Sequence, residues 1–326
     1  MLGQLITAPL SFILMAVIVH LGEHLRGENF IAVATELVGA VGARIVTAVL
    51  FFYTFGALIS SLRMGVGVFT FVYVDTPAVV LVLTGLAAVA YAVYSGLEVI
   101  ARVGQLLMPQ VLLVLLIGVL FVAPNMHVQN LFPLLEDGLR PVLASGVVQF
   151  AQWGEMITII VLLPYVHNRN ALRKHLSRSL GAGSLMMFAI VGTVLLVLGP
   201  LAPTTSFKLL EVYRYISVAR LVERVDVLLL LTYYFVTFVK TCLLFYVLLL
   251  LFCQLFNLRT YQPFILPMGV VGAMFAIITP LTIPRLLSHP LFMLPFNLFV
   301  EVAIPTVLLL GCILRRRRPA RPGVSS

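Results

Sequence analysis

Residues 143–166 read LASGVVQFAQWGEMITIIVLLPYV, and the polar heptapeptide inside this otherwise apolar run decides how the chain is read. A helix that crosses a bilayer needs roughly 20 mostly apolar residues, and this run is long enough. Gln149, Gln152 and Glu155 fall near its middle, interleaved with Phe150, Trp153 and Gly154. An ionisable group at mid-depth is costly and faces a cavity or a partner. Gly154 permits departures from helical geometry, and a broken helix at that depth is tolerated only within protein or around a cavity. Two readings of Glu155 fit. In one, a discontinuous helix offers its backbone groups and Glu155, with Gln149, Phe150, Gln152, Trp153 and Gly154, to a small polar ligand or cation. In the other, Glu155 makes a structural contact with an Arg or Lys of a neighbouring helix.

The rest of the chain has the same character. Its 326 residues are 61% apolar and 10% charged, with a mean hydropathy of +1.12. Soluble domains are roughly half apolar and a quarter charged, and so large an apolar excess cannot be hidden in one water-soluble core. A cytosolic enzyme, a secreted disulfide scaffold and a nucleic-acid-binding chain are excluded. Apolar periodicity predicts nine spans, at 2–20, 45–73, 78–94, 105–123, 143–166, 179–200, 227–252, 263–280 and 294–314. These spans are helices, because no alternating barrel pattern occurs and a spanning backbone must satisfy its own hydrogen bonds. The expectation is an all-α polytopic membrane protein with one transmembrane domain, 1–314, and a basic tail, 315–326.

The net charge of +9 is a matter of topology. Arg315, Arg316, Arg317, Arg318 and Arg321 follow the last span, and Arg169, Arg173, Lys174 and Arg178 form one short loop. With the tail inside, cytoplasmic segments hold thirteen of the 21 basic residues and outer segments six, as the positive-inside rule requires. Nine spans then place the N-terminus outside, which suggests that one preceding helix is missing. Two stretches read as amphipathic, 22–44 and 204–226. In the latter, Phe207 to Tyr215 predicts a short helix and Ser217 caps a second. Arg220, Glu223 and Arg224 share a face of that second helix, either in the headgroups or as a gate over an outer vestibule.

Catalytic signatures are missing from the sequence: it has no phosphate-binding loop, nucleophile elbow or HExxH pair. Cys242, Cys253 and Cys312 lie in or beside apolar runs without CxxC spacing, and the six histidines scatter near span ends. No metal site, cofactor or enzymatic activity is expected. Besides Glu155, the ionisable groups within spans are Arg63, Lys240 and Glu301. Arg63, beside Ser60, Ser61, Gly65 and Gly67, either pairs with Glu155 or snorkels to an interface. Lys240 lies about 13 residues into its span among Tyr233, Tyr234, Thr237 and Thr241, too deep to snorkel easily. Glu301 reads as interfacial.

Four stretches together resemble the spore germination receptor B-subunit family, permease-like proteins of the amino acid–polyamine–organocation superfamily. They are Ser95–Arg102 (SGLEVIAR), Phe132–Pro141 (FPLLEDGLRP), Gly154-Glu155 followed by Leu162-Leu163-Pro164-Tyr165 and a basic loop, and Tyr215-Ile216-Ser217 through Glu223-Arg224-Val225-Asp226. The resemblance implies a LeuT-like inverted-repeat bundle of ten helices with a small-molecule site between broken helices one and six. The chain is similar from the family's second helix onward, so 143–166 corresponds to helix six and half of the implied site would be absent. Gln152-Trp153 departs from the compact, often Pro-containing segment expected before Gly154. The implied function is a nutrient germinant receptor subunit of the spore inner membrane, a bacterial cytoplasmic membrane. It would bind an amino acid or similar germinant and act with A-type and lipoprotein C-type subunits. The alternative is a secondary amino-acid transporter.

Overall fold

The computed structural model describes residues 2–24, 29–72, 76–132, 138–166, 169–202, 208–214, 225–278 and 290–316. Eleven α-helices are seen among them: α1 Leu2–His24, α2 Phe30–Val72, α3 Ala78–Tyr94, α4 Leu97–Val122, α5 Leu139–Trp153, α6 Ile159–Leu162, α7 Arg169–Leu198, α8 Lys208–Arg214, α9 Val225–Phe256, α10 Ile265–Ile278 and α11 Pro290–Arg316. No strand occurs among the described residues. Seven helical stretches are long and apolar enough to cross a membrane, and Ala78–Tyr94 and Gln262–Ile278 are shorter apolar helices. The chain is an all-α polytopic membrane protein, and the described residues of the predicted spans are largely helical, with 143–166 divided among α5, α6 and two 3₁₀ turns.

The span limits differ from expectation in an instructive way. Residues 30–44, read as an amphipathic segment beside the membrane, belong to α2, which continues to Val72 and bends at Gly39 (φ 80°, ψ 168°). Such a φ is closed to most side chains, so the glycine interrupts the helical run, and α2 is two helical stretches joined across a kink. Helix α4 begins at Leu97 instead of 105, and α7 at Arg169 instead of 179. Arg173, Lys174 and Arg178 therefore ride on the first turns of α7 and do not form a loop. Long basic side chains reach water from a helix that outruns the hydrocarbon, so charge marks the membrane boundary and not the helix end.

The bundle is built around α9. Every residue from Leu244 to Leu251 is buried there, Phe245, Val247, Leu248, Leu249 and Leu251 completely, which is the mark of a helix with protein on all sides. Its most extensive partner is α2, and Ser61 and Thr241 hydroxyls bond across that interface at 2.7 Å. Phe51 of α2 meets Phe252 of α9 at 6.1 Å, and Phe55 meets Phe275 of α10 edge-on at 5.7 Å. On α1, Gln4, Thr7 and Ser11 form a buried polar stripe. Thr7 Oγ1 donates to its own helix at Gly3 O (2.9 Å) and across to Gly146 O of α5 (3.0 Å). Lipid tails offer no such partners, so small polar residues at this close approach hold α1 to α5. By contrast α4 and α7 bury only 17% of their apolar windows and present side chains such as Leu106, Leu116 and Leu185 outward, where lipid covers them.

A second apolar cluster joins α4, α7, α8 and α9. Leu210, Val212 and Tyr213 of α8 are buried in it, and Tyr213 Oη donates to Val114 O at 3.2 Å. The short helix predicted over Phe207–Tyr215 thus forms at Lys208–Arg214 and docks into the bundle. The proposed gating residues Arg220, Glu223 and Arg224 lie outside the described residues.

Candidate functional site

The winding of the 143–166 segment changes where the sequence turns polar. Helix α5 ends at Trp153, a 3₁₀ turn covers Gly154–Thr158, α6 supplies one α-turn over Ile159–Leu162, and a second 3₁₀ turn takes in Pro164. Thr158 Oγ1 donates to Glu155 O at 2.8 Å, a local bond of the kind that competes with regular helix bonding. Pro164 has no N–H to continue α6. The helix tightens here and does not open: Trp153, Gly154, Thr158 and Ile159 all keep right-handed helical dihedrals. The expected unwound stretch with exposed backbone groups is replaced by a 3₁₀ turn, which keeps backbone donors and acceptors paired in apolar surroundings.

Four helical segments bring polar or charged groups together at this turn. Lys240 Nζ, from the middle of α9, lies 2.7 Å from Glu155 Oε2, with the two side chains 39% and 22% exposed. Lys240, rather than Arg63, is the cation that reaches Glu155. Arg63 is itself buried on α2. On the other side of the turn stands Glu301 of α11, whose residue exposure is 0%. Tyr53 Oη of α2 donates to Glu301 Oε1 at 2.8 Å, whereas Glu301 Oε2 is buried with no hydrogen-bond partner among the described residues. The carboxylate lies flat against Gly154: a Cβ added there would overlap Glu301 Cδ and Oε2 and stand 2.6 Å from Cγ. Gly154 is thus needed for close approach of an acidic side chain, while its own φ of −62° makes no special demand.

Glu301 corrects the interfacial reading drawn from sequence. It is fully buried because α11 packs against α1, α2 and the Gly154 turn. Two signals pointed to it. Residue 301 is well inside the predicted 294–314 span, and Pro305 lies four residues on, so the Glu301 carbonyl lacks its usual helical donor.

The remaining residues of the heptapeptide spread around the helix. Phe150 belongs to the main apolar core, and Trp153 packs with Met15, Val19 and Leu180. Gln152 is exposed and Gln149 half-buried, the latter with its side-chain oxygen unpartnered among the described residues. Gly154 and Glu155 are the members that converge with Lys240 and Glu301. A cavity of about 250 Å³ lies elsewhere, between α2, α3 and α9. Its polar lining is Ser61, Thr84, Tyr234, Thr237 and Thr241, hydroxyl groups with no charged side chain. Sequence reading noted four of these residues only as neighbours of Arg63 and Lys240; Thr84, on α3, carries no signal of its own. Groups of three or more His, Cys, Asp and Glu suited to a metal are absent among the described residues.

The sequence model of the family described as "Spore germination protein" matches residues 2–282. The chain is also similar to spore germination protein KB of Bacillus subtilis (strain 168), with 26% identity over 256 residues that make up 76% of this chain and 69% of the relative. A polytopic helical bundle and a family match over most of the length lead to one conclusion: the chain belongs to the spore germination protein family of membrane permease-like proteins.

Proposed function

We propose that this chain is the B-type subunit of a nutrient germinant receptor, a ligand-binding role and not a catalytic one. It would bind an amino acid or similar small germinant within the membrane and pass the signal to A-type and lipoprotein C-type subunits. The spore inner membrane is the proposed location, with the basic C-terminus on the cytoplasmic side. Membership of the family and the similarity to protein KB support the receptor reading. The observation that carries the ligand site is the Glu155–Lys240 pair at the Gly154 turn. A carboxylate and an ammonium held together within a bilayer are matched in charge to the two ends of a zwitterion. A zwitterionic germinant would exchange with this pair, its ammonium taking Glu155 and its carboxylate taking Lys240. Gly154 adjoins that exchange, while Gln149, Phe150, Gln152 and Trp153 lie around the same helical segment. Binding then acts as a signal only through unequal affinity for two conformations.

The test is nutrient dose–response in spores carrying Glu155→Gln at normal protein level. A raised germinant requirement or lost response is expected, and an unchanged curve refutes a ligand role for Glu155. A secondary amino-acid transporter is the second reading, favoured by the same intramembrane charges, which pumps and transporters use as relays. Reconstituted protein separates the two: saturable binding without flux fits the receptor, and concentrative ion-coupled uptake fits the transporter.

A further inference from the structure

The Glu155–Lys240 pair leaves a second acid beside it unbalanced. Glu155, Glu301 and Lys240 bring two carboxyl groups and one ammonium to a single turn, so the cluster carries an excess negative charge if both acids are ionised. The exposure of Glu301 is 0%. One oxygen accepts from Tyr53 at 2.8 Å. The other is buried against Gly154 with no hydrogen-bond partner among the described residues. An anionic oxygen without a donor in apolar surroundings is far more costly than a neutral hydroxyl in the same place.

The space there decides what can neutralise it. The cavity between α2, α3 and α9 is lined by neither Glu301 nor Glu155, and Glu301 Oε2 touches Gly154 so closely that a methyl group does not fit. A metal cation with its several oxygen ligands needs far more room than a methyl group; a hydrogen nucleus needs none. Of the other ionisable groups on the elements packed against α11, those on α2 and α5 lie well along their helices from the cluster. On α2, Arg44 and Arg63 are nine and ten residues from Tyr53, about 13 and 15 Å along the helix axis, and Glu36 is more distant still. Arg140 on α5 is fourteen residues from Gly154, about 21 Å. His20 is on α1, where the side chains of Glu23 and His24 lie outside those described.

We propose that Glu301 is a proton-binding site: its Oε2 holds one exchangeable proton at neutral pH, with Tyr53 donating to the other oxygen and Glu155–Lys240 forming the neighbouring charged pair. The proton comes from and returns to water, and no bond other than O–H is made or broken. Movement of α11 away from the Gly154 turn would expose the acid and release the proton, which links the proton to the packing of these helices.

Infrared spectroscopy of the full-length protein in liposomes, without germinant, tests this directly and independently of the germinant reading. Wild type at pH 7 is expected to show the C=O stretch of one protonated carboxylic acid per chain, with a downshift in D₂O. Glu301→Gln should abolish it. Tyr53→Phe should keep the band and raise its frequency, since the carbonyl loses a donor, so the assignment stays testable if Glu301→Gln does not fold. A wild-type protein with no such band at pH 7, a band that survives Glu301→Gln, or one that Tyr53→Phe leaves unmoved overturns the proposal. In that outcome the dose–response of Glu155→Gln still judges the receptor reading by itself.

Discussion

Gly154→Ala adds one methyl group at a crowded point of the bundle. Its Cβ would overlap Glu301 Cδ and Oε2 and stand 2.6 Å from Cγ. Glu301 is fully buried, so the carboxylate has nowhere exposed to go and must swing from both Gly154 and Tyr53. Overpacking of this kind costs about 1–3 kcal/mol. Loss of the Tyr53–Glu301 hydrogen bond, which spans 2.8 Å, adds about 1–3 kcal/mol for a buried group left unpaired. The better helix propensity of alanine returns at most about 1 kcal/mol. The net expectation is a loss of about 1–5 kcal/mol. Gly56→Ala is the matched control, because a Cβ at that position in α2 meets nothing within 4 Å and should leave stability unchanged or raise it by up to about 1 kcal/mol. Thermal unfolding of the detergent-purified variants, followed by loss of the monodisperse peak on size-exclusion chromatography, reads the difference. A melting temperature for Gly154→Ala equal to or above that of Gly56→Ala would refute the contact between Glu301 and the 3₁₀ turn.

Lys240→Met should destabilise the bundle by about 1–3 kcal/mol by leaving Glu155 uncompensated, and Glu155→Gln in the same chain should recover most of that loss; additive effects in the thermal assay would show that the pair is not coupled. Thr7→Val removes the hydroxyl bridging α1 to Gly146 O and should cost about 0.5–1.5 kcal/mol, with no change in melting temperature counting against that bridge. Gly118→Ala would push into the Tyr213 ring, whose Cε1 lies 2.6 Å from the added Cβ. It should undock α8 and make the Lys208–Arg214 segment more open to limited proteolysis, whereas an unaltered cleavage pattern would place α8 elsewhere.

The layout of the bundle was legible because the bilayer imposes a coarse rule. A span must be long and apolar, and no soluble alternative competes for such a stretch. The described residues of the nine predicted spans are therefore largely helical, and a short helix was readable at Phe207–Tyr215. Helix ends were less legible. Phe30–Ala43 and Arg169–Arg178 are helical but carry charged residues, and hydropathy reports where the lipid stops instead of where backbone hydrogen bonding stops. The bend at Gly39 left no signal either, since glycines are frequent in membrane helices and only a tertiary constraint selects one for positive φ.

The site divides along the same line. Glu155 stood out because an acid in mid-span is rare, and Lys240 was one of two cations deep enough to answer it. Choosing Lys240 over Arg63 requires knowing that α9 runs through the centre of the bundle with its middle beside the Gly154 turn, and no local pattern contains that. Glu301 was read as interfacial, although its depth and Pro305 argued otherwise. Once it is seated against Gly154, the glycine acquires a different meaning: a position that read as a hinge is a landing place for a buried acid. That exchange of roles has a physical consequence for sequence change at the turn. Serine or alanine at residue 154 would be tolerated by the backbone, whose dihedrals there are ordinary, but excluded by the Glu301 carboxylate. Substitution at 154 should therefore become harmless only together with a shortened side chain at 301, such as Glu301→Ala, which vacates the space the methyl needs while leaving Tyr53 one hydrogen bond short. Recovery of the Gly154→Ala melting temperature by Glu301→Ala, beyond what Glu301→Ala does alone, is the signature of that steric coupling, and strict additivity of the two changes would show that the turn and α11 do not touch.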